Sequence, residues 1–136
     1  LSKTDIDSAF RIIPIHPEDH DLLGIKFNGR FYYDTCLPMG CSSAPAIFER
    51  FSSALEHIAI QHLGIVHIIH ILVAILILGP PDSPTCQQNL NRFISFCAFV
   101  GVPIKSEKTE NANNVMTFMG LELDSVQMEA HLSRTN

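Results

Sequence analysis

Seven histidines and four cysteines are the side chains best suited to hold a metal, and their spacing argues against that use. His67 and His70 stand three apart in an apolar run whose Ile and Val content favours buried strand. Strand residues three apart face opposite sides, which is wrong for joint chelation, and no Cys or carboxylate lies at ligand spacing from them. His16, His20, His57 and His62 are scattered. Cys36, Cys41, Cys86 and Cys97 contain no CxxC pair. Cys36 and Cys41 flank a turn without zinc-like order, so reduced, half-buried thiols are expected, and with them an intracellular (cytoplasmic or nuclear) protein. Taken singly, Asp5 reads as a strand-end cap or solvated carboxylate, Lys108 as a solvated charge, Phe10 as core, and Ser42 and Ser43 as helix caps.

The elements that must position these residues are legible. Leu1 to Ile6 reads as a short strand, and Pro14 and Pro17 break the chain before an acidic turn at Glu18, Asp19 and Asp21. Leu22–Phe27 and Arg30–Asp34 are β-prone runs joined by Asn28-Gly29, the pair that best tolerates the positive φ of a two-residue hairpin turn. After Pro38 and Gly40, Ser42 or Ser43 caps a helix expected from about Pro45 to Leu63. It places Ile47, Phe48, Phe51, Leu55 and Ile58 inward and stops at Gly64. A second helix begins at Ser83-Pro84, turns Leu90, Phe93, Ile94, Cys97 and Val100 inward, and ends at Gly101. Thr117–Leu123 and Val126–Ala130 are expected to form a closing hairpin. Ile65–Leu78 is too short for a membrane span, which needs about 20 apolar residues, and reads as buried strand.

The 136 residues suit one domain, with 46% apolar and 17% charged residues excluding a disordered tail. A net charge of −5 argues against a protein that holds nucleic acid by its own summed field. The chain begins with Leu, and a motif follows almost at once, so a piece of a longer polypeptide is expected.

Three blocks in order carry a resemblance: Lys3-Thr4-Asp5-Ile6-Asp7-Ser8-Ala9-Phe10, Leu37-Pro38-Met39-Gly40-Cys41-Ser42-Ser43-Ala44-Pro45-Ala46-Ile47-Phe48, and Phe118-Met119-Gly120-Leu121. Together they resemble reverse transcriptases, and the run Ala9 to Pro14 with the form of the second block is most similar to DIRS-type, tyrosine-recombinase retrotransposons. The likeness implies an α+β fold: a polymerase palm-like antiparallel sheet, built from the Asp5 strand and the Ile65–Leu78 hairpin, backed by two helices, with a β-hairpin of the fingers. One partial palm domain over residues 1–136 follows, with most of the fingers and the thumb absent. The resemblance also implies roles. Asp5 and the Ile6 carbonyl would hold Mg²⁺, and Phe10 would be the steric gate against a ribose 2′-OH. Met39 and Gly40 would lie in the nucleotide cradle, Lys108 would serve the leaving pyrophosphate, and Gly120 would turn the primer grip. RNA or DNA template-primer and the rest of a retroelement polyprotein (fingers, thumb, ribonuclease H) are the implied partners.

The departure falls where the family has an aromatic residue, one further residue and two aspartates. This chain reads His70-Ile71-Leu72-Val73-Ala74, with His70, Leu72, Leu76 and Gly79 still in frame. Val73 and Ala74 stand at the carboxylate positions. Two-metal phosphoryl transfer needs clustered carboxylates to hold two ions about 4 Å apart, and Asp5 alone supplies one. The expectation is a nucleotidyltransferase by descent, inactive as written, with weak or absent Mg²⁺ binding at Asp5. A non-catalytic nucleic-acid or protein interaction module is the alternative. A membrane-associated segment centred on Ile65–Leu78 is the least favoured reading.

Overall fold

Asn28 and Gly29 adopt φ of 50° and 72°, the backbone that a two-residue hairpin turn demands. They join β2 (Gly24–Phe27) to β3 (Arg30–Tyr33) in register, with Phe27 opposite Arg30. This ribbon stands apart from the other sheets and exposes Phe27, Phe31, Tyr32 and Tyr33. The acidic stretch before it is a 3₁₀ helix, Pro17–Leu23, started by the fixed φ of its first proline. A computed structural model describes residues 1–133 of the chain, so the last three residues of the expected domain lie outside the described part.

The central sheet has the order β1-β5-β4, antiparallel throughout, from β1 (Ser2–Asp5), β4 (Ile68–Ile71) and β5 (Ala74–Ile77). Period-2 alternation gives each face of β5 a different neighbour. Ile75 and Ile77 join Ile6, Phe48, Leu90 and Phe93 in the main core under α1 (Ala44–His62) and α2 (Thr85–Val100). Ala74 and Leu76 face the other way, onto Met116 and Phe118. The mixed α/β architecture with a two-helix backing matches the expected fold class. Among the described residues no helix is long and apolar enough to cross a membrane, and the Ile65–Leu78 run supplies β4 and β5.

Several local expectations are corrected. The closing hairpin is a three-stranded sheet, β6 (Val115–Phe118), β7 (Leu121–Asp124) and β8 (Glu129–Leu132). Met119 and Gly120, with φ of 52° and 79°, turn the chain in the middle of what reads as one strand. Ile47 and Val100 are exposed; the buried stripe of α1 is instead Ala44, Phe48, Ser52, Leu55 and Ala59. That stripe runs at four- and three-residue steps from Ala44, which rotates Ile47 off the core. Ser43 occupies the N-cap position of α1 without a side-chain cap bond, because its hydroxyl meets the Cys41 thiol at 3.3 Å.

Gly79, at the exit of β5, is required by packing. A Cβ there would lie 2.7 Å from Cys86 Cβ and 2.8 Å from the Cys86 backbone nitrogen, in the first turn of α2. Gly79→Ala should therefore lower the unfolding free energy by about 1–3 kcal/mol. Gly24→Ala, whose new methyl would meet nothing nearer than 3.9 Å, should shift it by less than about 1 kcal/mol. Urea midpoints of the two variants check the contrast, and equal midpoints would refute it.

Candidate active site

Asp5 ends β1 directly opposite Ala74, the first residue of β5. One residue on, the Ile6 N–H donates to the Val73 carbonyl at 3.0 Å. The three positions singled out in the sequence, Asp5, Val73 and Ala74, thus meet at one end of the sheet, brought together across almost 70 residues by the β1–β5 register. Leu72 makes the hairpin tip with a positive φ of 51°, a conformation disfavoured for a side chain of its size. The Ser52 hydroxyl of α1 donates to the Leu72 carbonyl at 2.6 Å and so anchors that tip.

After Asp5 the alternation continues for one step, with Ile6 buried and Asp7 on the Asp5 side. The chain then breaks out of extended form: Ser8 and Ala9 take φ of 60° and 41°, and the Asp7 carboxylate accepts the Ser8 N–H at 2.8 Å. This bend starts a 3₁₀ turn, Ala9–Ile12, and sends the half-buried Phe10 ring onto Phe48, 5.3 Å between centroids. Phe10 is therefore anchored by an aromatic pair with α1.

Lys108 lies on an exposed 3₁₀ turn, Ser106–Lys108, in a segment running antiparallel to β1. The Lys105 N–H donates to the Asp5 carbonyl at 2.9 Å, and the Thr4 and Thr109 hydroxyls meet at 2.8 Å. Lys108 is thereby carried beside the Asp5 strand. Met39 and Gly40 sit in the loop before α1, Met39 with 77% of its surface exposed and Gly40 at φ 92°. A cavity of about 460 Å³ opens near this loop, lined by Ile13, His16, Leu37, Pro38, Cys41 and Ile47, but Asp5, Ile6 and Phe10 are not part of it.

Among the described residues no group of three or more His, Cys, Asp or Glu side chains is arranged to hold a metal ion. All four cysteines are free thiols. Hydrogen bonding from Ser43 lowers the Cys41 pKa, whereas burial pushes Cys97 up to about 12, which leaves Cys97 a packing residue.

The sequence reading missed one polar cluster. It found no carboxylate partner for His70, yet the ring sits between Glu49 and Glu56 of α1, with Nε2 2.7 Å from Glu49 and Nδ1 in contact with Glu56. The available signal was the helix face: Glu49, Ser52 and Glu56 fall at i, i+3 and i+7, beside the apolar stripe.

The model of the family described as reverse transcriptase (RNA-dependent DNA polymerase) matches residues 1–123. The chain belongs to the reverse transcriptase family. Among curated proteins, this reverse transcriptase domain is 27% identical over 125 residues to the genome polyprotein of Petunia vein clearing virus, in both the Shepherd and Hohn isolates. The match takes in 90% of this chain and 5% of the polyprotein, so the domain spans about a twentieth of those relatives. Among solved structures, the foamy viral protease-reverse transcriptase in complex with dsDNA aligns with TM-score 0.81 and 20% identity, over 98% of this chain and 26% of that one. The same protein in complex with RNA/DNA hybrid gives 0.80 and 17%, over 98% and 17%. At these identities the structural likeness shows the fold.

Proposed function

We propose that this domain is the palm of an RNA-directed DNA polymerase from a retroelement polyprotein, most similar to the DIRS type, which keeps the fold and has lost the catalysis. The observation that carries the reading is the pairing of Asp5 with Ala74, beside Val73. The positions that carry the family's aspartate pair are here a methyl and an isopropyl group, and neither coordinates a cation. Ala74 is 6% exposed and faces Leu76, Met116 and Phe118, so the site end of the sheet is packed rather than charged. The residues present do not fit a two-ion Mg²⁺ centre: Asp5 remains, the Asp7 carboxylate on the same side is engaged by the Ser8 N–H, and the described residues group no third ligand with them.

In this reading Phe10, Ile6, Met39 and Gly40 are relics of the nucleotide site and Lys108 of the leaving-group site. The polyprotein origin is supported by the Petunia vein clearing virus match, and a template-primer partner by the foamy viral complexes with dsDNA and RNA/DNA hybrid. The DIRS assignment rests on the Ala9–Pro14 run and the Leu37–Phe48 block. The exposed aromatic ribbon β2–β3, with Lys26 lying 5.4 Å over Phe31, favours a second reading as a non-catalytic nucleic-acid-binding module. Salt-sensitive binding of single-stranded RNA that is lost in a Phe31→Ala, Tyr32→Ala variant would support that reading.

The test of the main reading is Mn²⁺ titration followed by NMR. Broadening around Asp5 should be weak, non-saturating at low millimolar Mn²⁺, and unchanged in kind by Asp5→Asn. Tight, saturable broadening centred on Asp5 would overturn it, because it would reveal a replacement ligand set.

A further inference from the structure

The His70 cluster has a geometry that a neutral histidine between two ionised carboxylates cannot satisfy. Both ring nitrogens face carboxylates, Nε2 toward Glu49 and Nδ1 toward Glu56. A neutral imidazole has one N–H, so one of its nitrogens would present a lone pair to a carboxylate oxygen. Only the doubly protonated ring donates to both. The surroundings leave little alternative partner: the His70 side chain is 10% exposed, its cross-strand neighbour on β5 is the apolar Ile75, and the Ser52 hydroxyl is committed to the Leu72 carbonyl. Glu49 and Glu56 are the charged groups that α1 turns to the ring, and β5 turns none.

The cluster adds to the core packing and the Ser52–Leu72 bond that already hold α1 against the β4–β5 hairpin. Glu49 and Glu56 are two helical turns apart on α1, while His70 is on β4, two residues before the hairpin tip at Leu72. We infer that His70, Glu49 and Glu56 form a proton-operated latch that fixes the β4–β5 hairpin tip, and so the Leu72–Ala74 end of the site, against α1.

Burial of the ring opposes its charge, but the hydrogen bonds and charges of Glu56 and Glu49 outweigh that, and the His70 pKa is raised above its ordinary value. A raised pKa in the folded state fixes the sign. The latch is fully closed below the unfolded-state value of about 6.5 and weakens as pH rises through the higher folded value.

Hydrogen–deuterium exchange of the full chain tests this at about pH 5.5 and about pH 8.5, each rate divided by its intrinsic rate. Protection of the β4–β5 amides, and of the Ile6 amide that donates to Val73, should fall toward the higher pH, while β6–β8 amides change less. His70→Gln should remove the pH response of the hairpin. Should that variant fail to fold, Glu49→Gln keeps the ring and one carboxylate and should reduce the response. The inference is overturned by a parent hairpin whose protection is flat with pH, by a response spread equally over β6–β8, or by a response that persists undiminished in either variant.

Discussion

A complete homologous reverse transcriptase given the Ile68–Ile77 hairpin of this chain should lose template-directed incorporation by at least about a thousandfold. Removing a single preorganised electrostatic contact at a reacting centre typically costs on the order of 100- to 1,000-fold, and the exchange removes two carboxylates that position ions. The hairpin should still fold in its new setting, because the interactions that seat it are generic. They are chiefly the antiparallel register with the first strand, one bond from an Ile6-like amide to the Val73 carbonyl, and apolar contacts on both faces of β5; the α1 partners of Leu72 and His70 stay behind, and a repaired graft controls for their loss. The graft therefore separates loss of chemistry from loss of fold, which the isolated chain cannot do when its incorporation is measured alone. Putting aspartate back at both positions of the graft, equivalent to Val73→Asp and Ala74→Asp, should return most of the activity. Primer extension with Mg²⁺ and with Mn²⁺ reads both arms. Activity of the unrepaired graft within tenfold of the parent enzyme would end the proposal of lost catalysis.

In the present chain the same two substitutions should cost stability, by about 2–4 kcal/mol together. Most of the cost belongs to Ala74→Asp. Its new carboxylate would be buried among Leu76, Met116 and Phe118 and would stand directly across from Asp5, so desolvation and like-charge repulsion act in the same direction. Val73→Asp removes a branched side chain packed against the main core, a smaller loss. Added Mg²⁺ should recover part of the deficit, because a ligand bound only by the native state stabilises it by mass action. Denaturant melts of both versions with and without Mg²⁺ give the comparison. A doubly substituted chain as stable as the parent in the absence of metal would show that the two carboxylates carry no such desolvation and repulsion cost.

Much of the local structure was legible because its causes lie within a few residues. Asn28-Gly29 adopts the positive φ pair that a two-residue turn needs, and Gly101 closes α2 at φ 83°. The helix bodies follow from apolar spacing, although Ile47 and Val100, at the margins of their stripes, turned outward. A margin residue is placed by what lies opposite it, which spacing does not report. The C-terminal sheet was misread as a single hairpin because Thr117–Leu123 was taken as one strand, although Gly120 within it marks the turn that separates β6 from β7.

The sequence by itself determined the blocks whose order marks the family, and the apolar pair Val73-Ala74 that we propose stands at the family's carboxylate positions. Composition at a position needs no fold to be read. Tertiary structure alone decided who faces whom. The register of β1 on β5 sets Asp5 against Ala74, and the packing of α1 on β4 brings Glu49 and Glu56 to His70 across 21 and 14 residues of chain. Such pairs are selected by burial and strand alignment, forces that act between distant segments and leave no local periodicity. For that reason the apolar Val73-Ala74 pair was visible before the fold, whereas the contact of His70 with Glu49 and Glu56 was not.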